Sequence, residues 1–207
     1  MTRILIRSIE NRFFESLSPN KVIVLLGPRR IGKTFLLKKL VSKLEEPYLM
    51  LNGEDLDTRT KLEHRSKQNY LHLLGSKRVL LIDEAQKIPE VGKVLKLIVD
   101  EIEGIRIVVT GSSAFDINIY TGEPLTGRKK DFNLFALSES EFSQIENPIE
   151  KIGNLKQRLV YGSYPELVNI PDETDKREYL QNLVNSYLLK DILEFEFEFL
   201  LPQPLNH

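Results

Sequence analysis

A short glycine-rich stretch carries the residue types that hold phosphate groups. The segment 27–34 reads GPRRIGKT and lies directly after an apolar run. Glycines let backbone N–H groups turn toward phosphate oxygens, a lysine reaches the β- and γ-phosphates, and a threonine hydroxyl is a magnesium ligand. The pattern predicts a P-loop that contacts a nucleotide through Gly27, Pro28, Arg29, Arg30, Ile31, Gly32, Lys33, Thr34 and Phe35.

Two carboxylates at the end of another apolar run supply a second set of reactive groups. In RVLLIDEAQK, Asp83 and Glu84 follow four apolar residues. Because open α/β sheets bind ligands at the carboxyl ends of their strands, we expect these acids beside the P-loop. Asp83 is predicted to hold magnesium together with Thr34, and Glu84 to orient and deprotonate an attacking water. This arrangement favours hydrolysis over phosphoryl transfer to a small metabolite.

Two further residues are weaker candidates for contact with the γ-phosphate. Ser112 lies in the polar stretch TGSS, which begins with the last residue of the run IRIVVT, and a hydroxyl there would sense the phosphate or the water. Strands also end in such residues for turn reasons alone. Arg128 lies beside a glycine on a loop long enough to reach a neighbouring subunit, where an arginine would stabilise transition-state charge. A solvated loop arginine is the competing interpretation.

The elements that must position these residues alternate along the chain. Strand-length apolar runs alternate with helical patterns, which predicts a parallel sheet covered by helices. Apolar residues from Val91 to Ile102 follow helical spacing, and Gly104 ends that helix. Beyond residue 137 the patterns are helical: Ser138 and Glu141 predict a capping box, and a longer helix is predicted over 175–193. The predicted strands are 21–26, 47–52, 78–83, 105–110 and 131–137.

The composition limits the classes of partner. The 207 residues include 29 Lys and Arg against 30 Asp and Glu, so the overall charge gives no nucleic-acid footprint and no attraction to an anionic membrane. The absence of cysteine excludes disulfides and thiolate metal sites. No run approaches the roughly 20 apolar residues of a membrane span. We therefore predict a soluble, cytoplasmic globular protein.

Six motifs in order resemble a prokaryotic family of AAA-like P-loop ATPases, whose members are usually described only as ATP-binding proteins. The resemblance covers about residues 4–191, and its motifs are GPRRIGKT, LLIDEAQKIP, VVTGSSA, EPLTGR, LSESEF and YGSYPE. It implies an α/β P-loop NTPase fold of the additional-strand glutamate type, with a five-stranded parallel sheet in the order 5-1-4-3-2 and a small helical lid. It also implies that Lys33, Glu84, Ser112 and Arg128 are catalytic and that Thr34 and Asp83 bind the metal.

The end of the chain departs from this family. Its members commonly continue into a second domain of unknown function, whereas this sequence stops at His207. The segment FEFEFLLPQP alternates with period two and then contains two prolines, which fits neither the preceding helix nor that domain. We interpret residues 1–137 as the ATPase core and 138–207 as a helical lid with a truncated tail. Self-association through the tail phenylalanines and docking of the tail on the lid both remain open.

The function predicted from the sequence is Mg²⁺-dependent binding and hydrolysis of ATP, coupled to conformational change in an unidentified process. A homo-oligomer in which Arg128 acts in trans and an unknown protein partner are further expectations. One alternative is a nucleotide-dependent switch or scaffold with little turnover. Another is a P-loop kinase for a small metabolite, which the pair Asp83 and Glu84 disfavours. A DNA-linked motor would rest on analogy of fold alone.

Overall fold

The computed structural model describes residues 4–112, 125 and 127–188, with side chains described up to residue 186. The chain divides into two compact units. The larger unit spans Ile6–Ala136, and the described part of the smaller unit consists of residues 4–5 and 137–188. Residues 113–124 and 189–207, which include the alternating tail, lie outside the described residues.

A five-stranded parallel sheet forms the centre of the larger unit. Its order is β2-β3-β4-β1-β5, which is the predicted order 5-1-4-3-2 and confirms the predicted fold. Every neighbouring pair of strands is parallel, so the carboxyl ends of all five strands meet at one edge. The strands are β1 Lys21–Leu26, β2 Tyr48–Asn52, β3 Val79–Asp83, β4 Arg106–Gly111 and β5 Lys129–Asn133.

The central strands are buried on both faces, which explains their nearly uniform apolar sequences. In β3 all five residues are buried, and in β1 four consecutive residues are buried. Alternate side chains from three strands enter one core cluster with the helix at 91–101, among them Val24, Ile82 and Val109. The side chains between them point to the opposite face and are equally buried, including Leu25, Leu81 and Val108.

The fifth strand differs from its prediction. An apolar run predicted a strand over 131–137, but β5 is Lys129–Asn133 and begins two residues earlier. It is an edge strand, and three of its five residues are exposed. Its position is set by pairing with β1 rather than by an apolar pattern, since Val22 lies opposite Lys129 and Leu26 opposite Asn133. The strand therefore starts directly after Arg128.

The helices follow the predicted patterns. The apolar stretch that begins at Val91 forms an eleven-residue helix, which ends before Gly104, a glycine with φ 74°. The helices of the larger unit are α1 Glu10–Glu15, α2 Lys33–Val41, α3 Leu56–Glu63, α4 Lys67–Leu74 and α5 Val91–Glu101, with a 3₁₀ turn at Ala85–Lys87.

The described part of the smaller unit is helical, as the capping signals indicate. Ser138 and Glu141 form the predicted capping box, and Asn147 with Glu150 forms a second one. The helix predicted over 175–193 begins earlier, at Glu173, because Asp172 caps its first turn. It is α-helical as far as Leu183. The elements are α6 Glu139–Phe142, α7 Pro148–Tyr161, a 3₁₀ turn Pro165–Asn169, α8 Glu173–Leu183 and a π-helical turn Val184–Leu188.

Candidate functional site

The predicted P-loop connects the carboxyl end of β1 to the amino terminus of α2. Gly32 is the N-cap residue of α2, with φ 101°, and Arg30 also has a positive φ of 58°. Within the described residues no side chain caps the first turn of α2, and the first-turn N–H groups of a helix are donors that suit an anion. The apolar side chain of Ile31 is buried, and Phe35 in the first turn is 47% exposed. The loop therefore has the conformation and the donors of a phosphate cradle.

Lys33 lies across its own loop. Its Nζ donates to the carbonyl of Gly27 at 2.9 Å and to the carbonyl of Pro28 at 3.0 Å. The residue is only 4% exposed, so its ammonium is held inside the loop rather than in solvent. A phosphate bound here would replace neutral carbonyl acceptors with charged oxygen atoms, and such hydrogen bonds are about twice as strong.

One carboxylate connects the P-loop to two strands of the sheet. Thr34 Oγ1 donates to Asp83 Oδ2 at 2.7 Å, and Thr110 Oγ1 donates to Asp83 Oδ1. Asp83 ends β3 and is 6% exposed, whereas Thr110 in β4 is fully buried. The parallel register brings these strand ends to the same edge, so residues separated by 49 and 27 positions meet.

These oxygen atoms suit Mg²⁺. A hydroxyl and a carboxylate already lie within hydrogen-bond distance of each other, and Mg²⁺ prefers hard oxygen ligands. Among the described residues there is no cluster of three or more His, Asp or Glu side chains that would hold a metal by itself. Mg²⁺ is commonly held by one or two protein ligands together with substrate phosphates and water. The residues that would hold it are Thr34 and Asp83.

Glu84 is the next residue after Asp83 and has a left-handed backbone, with φ 50° and ψ 46°. Its backbone N–H donates to Thr110 Oγ1 at 3.0 Å, and its carboxylate Oε2 accepts from Gln86 Nε2 at 2.5 Å. The other amide atom of this glutamine, Oε1, is buried and has no hydrogen-bond partner among the residues that the structure describes. Gln86 thus fixes the orientation of the Glu84 carboxylate.

Thr110 carries a hydroxyl that contacts both acids, and the role predicted for Ser112, contact with the γ-phosphate or the water, stays a prediction. Ser112 follows β4 and is half-buried. The stretch TGSS offered several hydroxyl groups, and Thr110 is the one on the strand face that it shares with Asp83. From the sequence, Gln86 is a candidate only for a relay between Glu84 and the sensor hydroxyl, because it lies just past the acids. Its bond to Glu84 depends on the 3₁₀ turn that follows β3.

The close approach of Gly53 to the two acids predicts a specific intolerance. Its N–H donates to the Asp83 carbonyl at 2.8 Å, and a Cβ at this position would lie 2.3 Å from the Glu84 carbonyl oxygen. We expect Gly53→Ala to destabilise the protein by about 1–3 kcal/mol because the Glu84 peptide must move. Urea unfolding measures the free energy of unfolding of this variant. A value equal to that of the native protein would contradict the close approach of Gly53 to the Glu84 carbonyl.

Gly153→Ala is the matched control for this substitution. Gly153 lies within α7, and outside the nearby residues of its own helix no described atom lies within 4 Å of where a Cβ would be. Alanine in a helix is about 0.5–1 kcal/mol more favourable than glycine, so the control should raise the free energy of unfolding. Opposite signs for the two glycine substitutions would separate a steric clash from a general effect of adding a methyl group.

Arg128 lies at the amino-terminal end of the sheet strands, whereas the P-loop lies at their carboxyl end. Its carbonyl accepts from the N–H of Val22, at the start of β1, whereas the P-loop follows the end of β1. Its guanidinium forms an ion pair with Asp100 near the end of α5. From Val22 to Gly27 an extended strand covers about 16 Å. The structure therefore brings Lys33, Thr34, Asp83 and Glu84 to one edge but does not bring Arg128 to them.

Comparison with known proteins gives a match for most of the larger unit. The model of a family described as AAA domain matches residues 19–143, more than half of the chain. An uncharacterized protein of Methanocaldococcus jannaschii is 29% identical over 204 aligned residues, which cover 89% of this chain and 45% of that protein. An uncharacterized protein of Mycobacterium bovis is 32% identical over 133 residues, covering 64% of this chain and 29% of that protein. The chain thus spans less than half the length of these curated relatives.

A solved structure shares the fold. It is a Signal Transduction ATPase with Numerous Domains protein from Pyrococcus horikoshii, which carries a tetratricopeptide repeat sensor. The TM-score is 0.51 at 13% identity, and the match covers 80% of this chain and 29% of that protein. Among the helices in the described part of this chain, none has the length and apolar character needed to cross a membrane.

Proposed function

Since the chain belongs to the AAA domain family, we propose that it binds ATP with Mg²⁺ at the P-loop and hydrolyses the bond between the β- and γ-phosphates. The observation that carries the proposal is the bond of 2.7 Å between Thr34 and Asp83, which joins the P-loop to the acidic strand end. A phosphate cradle, a pair of oxygen ligands for a metal and a second carboxylate then lie at the same edge of the sheet. This set matches the needs of phosphoryl transfer to water.

The proposed reaction assigns a role to each of these groups. Glu84 Oε accepts a proton from a water molecule while the water oxygen attacks the γ-phosphorus in line, and the bond to the β-phosphate oxygen breaks to release ADP. The Lys33 ammonium and the backbone N–H groups of the loop stabilise the charge that develops on the phosphate oxygens. Bound Mg²⁺ would supply further neutralisation of this charge at Thr34 and Asp83.

The first test is phosphate release from Mg-ATP by the full chain over a range of protein concentrations, beside direct titration of nucleotide binding. The proposal expects saturable binding and Mg²⁺-dependent phosphate release. Binding without release at every concentration would overturn the hydrolase and leave a nucleotide-dependent switch. That alternative is favoured by one observation: the Glu84 carboxylate already accepts a hydrogen bond from Gln86. A bond of this kind would keep the carboxylate from acting as the base. Absence of binding would overturn both.

We further propose that Arg128 acts on the nucleotide of a neighbouring subunit, because it lies at the edge remote from its own P-loop. Arg128→Ala should then lower phosphate release by about 10³-fold while nucleotide affinity stays native. Release by the native chain should also rise more than linearly with protein concentration, since the site is completed only in the assembly. Phosphate release and light scattering measure the two effects.

Asp100→Asn is the control for Arg128, because it removes the ion-pair partner and leaves the arginine in place. The pair is partly exposed and should contribute little to stability. If Arg128 serves only to hold α5, the two substitutions should reduce activity equally. Retained activity in Asp100→Asn together with the loss in Arg128→Ala supports the role in trans, whereas full activity in Arg128→Ala would contradict it.

A further inference from the structure

One buried arginine touches the P-loop and has no part in the chemistry described so far. Arg7 is 8% exposed, whereas its neighbour Ile6 is 56% exposed. Nη1 of Arg7 donates to the Ile31 carbonyl at 3.0 Å, and Nη2 donates to the Phe135 carbonyl. A guanidinium is costly to bury and cannot lose its charge, so its burial against loop carbonyls is a constraint on the fold.

The bond to Ile31 fixes one peptide plane of the loop. In a trans peptide the C=O and the following N–H point in opposite directions. When Arg7 holds the Ile31 oxygen, the N–H of Gly32 is turned away from Arg7 and is directed to an acceptor on the other side of the plane. Gly32 is the N-cap of α2, so this donor belongs to the set that receives phosphate.

The bond to Phe135 connects the loop to the segment that follows β5. The preceding residue, Leu134, donates its N–H to Leu26 at 2.7 Å, and its carbonyl oxygen would lie 2.4 Å from a Cβ on Gly27. The start of the loop is therefore positioned by direct contact with this segment. Arg7 positions the end of the loop relative to the same segment, because one planar guanidinium reaches both carbonyls.

We propose that Arg7 is a positioning residue of the P-loop: by bridging the Ile31 and Phe135 carbonyls, it sets the loop geometry on which nucleotide affinity depends. The inference deepens the proposed function and rests on it for the role in affinity. The bridge itself is seen in the structure and does not rest on nucleotide binding. It requires the forked donor of arginine, since a lysine retains the charge but presents a single ammonium in place of two coplanar nitrogen atoms.

The test compares Arg7→Lys and Arg7→Ala with the native chain in two measurements. The first is titration with a fluorescent ADP in the presence of Mg²⁺, where both substitutions should weaken binding by about tenfold or more. The second is hydrogen exchange of the amides of residues 27 and 29–34 without nucleotide, which should become about tenfold faster in both. Exchange in β3 should stay native, which distinguishes a local effect from general destabilisation.

Arg12→Lys is the matched control. The guanidinium of Arg12 lies over the Phe132 ring, and its described contacts do not include the P-loop. Native affinity in Arg7→Lys would overturn the bridge and leave only a role for charge. Native exchange at the loop in both Arg7 variants would overturn the inference whether or not nucleotide binds. If the native chain binds no ADP, the proposed function fails, and the exchange measurement still decides whether Arg7 holds the loop. Arg7→Lys keeps the test usable should Arg7→Ala fail to fold.

Discussion

Replacing Glu84 with glutamine should reduce phosphate release by about 10²–10⁴-fold while ATP binding stays within about twofold of native. Glutamine keeps the size of the side chain and its acceptor oxygen but cannot take a proton from water. In the proposed complex the nucleotide is held by other residues, chiefly Lys33 and the loop amides. The backbone bond from Glu84 N–H to Thr110 is unaffected by the change, so the position of the residue is retained.

Single-turnover phosphate release and nucleotide titration, run on the same preparation, check this expectation. Glu101→Gln is the matched control, since Glu101 is an exposed glutamate at the end of α5 that forms an ion pair with Lys67 at 3.2 Å. The control should release phosphate at the native rate. Native turnover in Glu84→Gln would show that another group is the base. A parallel loss of binding would show that Glu84 supports the loop and does not act on water.

The second large effect is expected at Lys33, where substitution by alanine should weaken binding of ATP by about 10²–10³-fold, and binding of ADP, which lacks the γ-phosphate, by less. The estimate corresponds to two charge-assisted hydrogen bonds to the β- and γ-phosphates at about 1.5–3 kcal/mol each, reduced by the bonds to the loop carbonyls that the lysine gives up. AMP should show a much smaller loss, because it lacks both of the phosphates that the ammonium reaches.

Isothermal titration with AMP, ADP and a non-hydrolysable ATP analogue measures this dependence on phosphate number. Lys38→Ala is the control, because Lys38 lies in the same helix and is exposed. Lys33→Ala also removes the bonds to Gly27 and Pro28, so its thermal midpoint should be recorded without nucleotide. Equal losses for AMP, ADP and the ATP analogue would indicate collapse of the loop in place of a lost phosphate contact.

The parts of the site that the sequence predicted are those with a local signature. Each of the two motifs, the P-loop and the acids after a buried strand, is recognised from about ten consecutive residues. The sheet order was predicted from the family that these motifs resemble. Arg7 could not be predicted in this way, because it contacts Phe135 across 128 positions and a buried arginine has no pattern of its own. Its role depends on tertiary packing alone.

Two other features that the sequence did not predict are set by the pairing of the strands in the sheet. Thr110 lies within β4 and Ser112 lies beyond its end, so the contact of Thr110 with Asp83 depends on where β4 ends and on its parallel register with β3. The limits of β5 follow from hydrogen bonding to β1 at an edge, where an exposed strand needs no apolar alternation. The shift in its start places Arg128 at the amino-terminal edge, a location that the sequence left undecided.

The backbone of the site has a consequence for the stability reserve of the whole unit. In the described ranges four residues other than glycine have positive φ, and two of them, Arg30 and Glu84, are in the site. A left-handed backbone costs a residue with a side chain about 1–2 kcal/mol. The summed cost of the two left-handed residues is a substantial fraction of a domain's free energy of unfolding, which is roughly 5–15 kcal/mol. The buried sheet thus tolerates local strain at its carboxyl edge, and gains in rigidity there are expected to trade against activity.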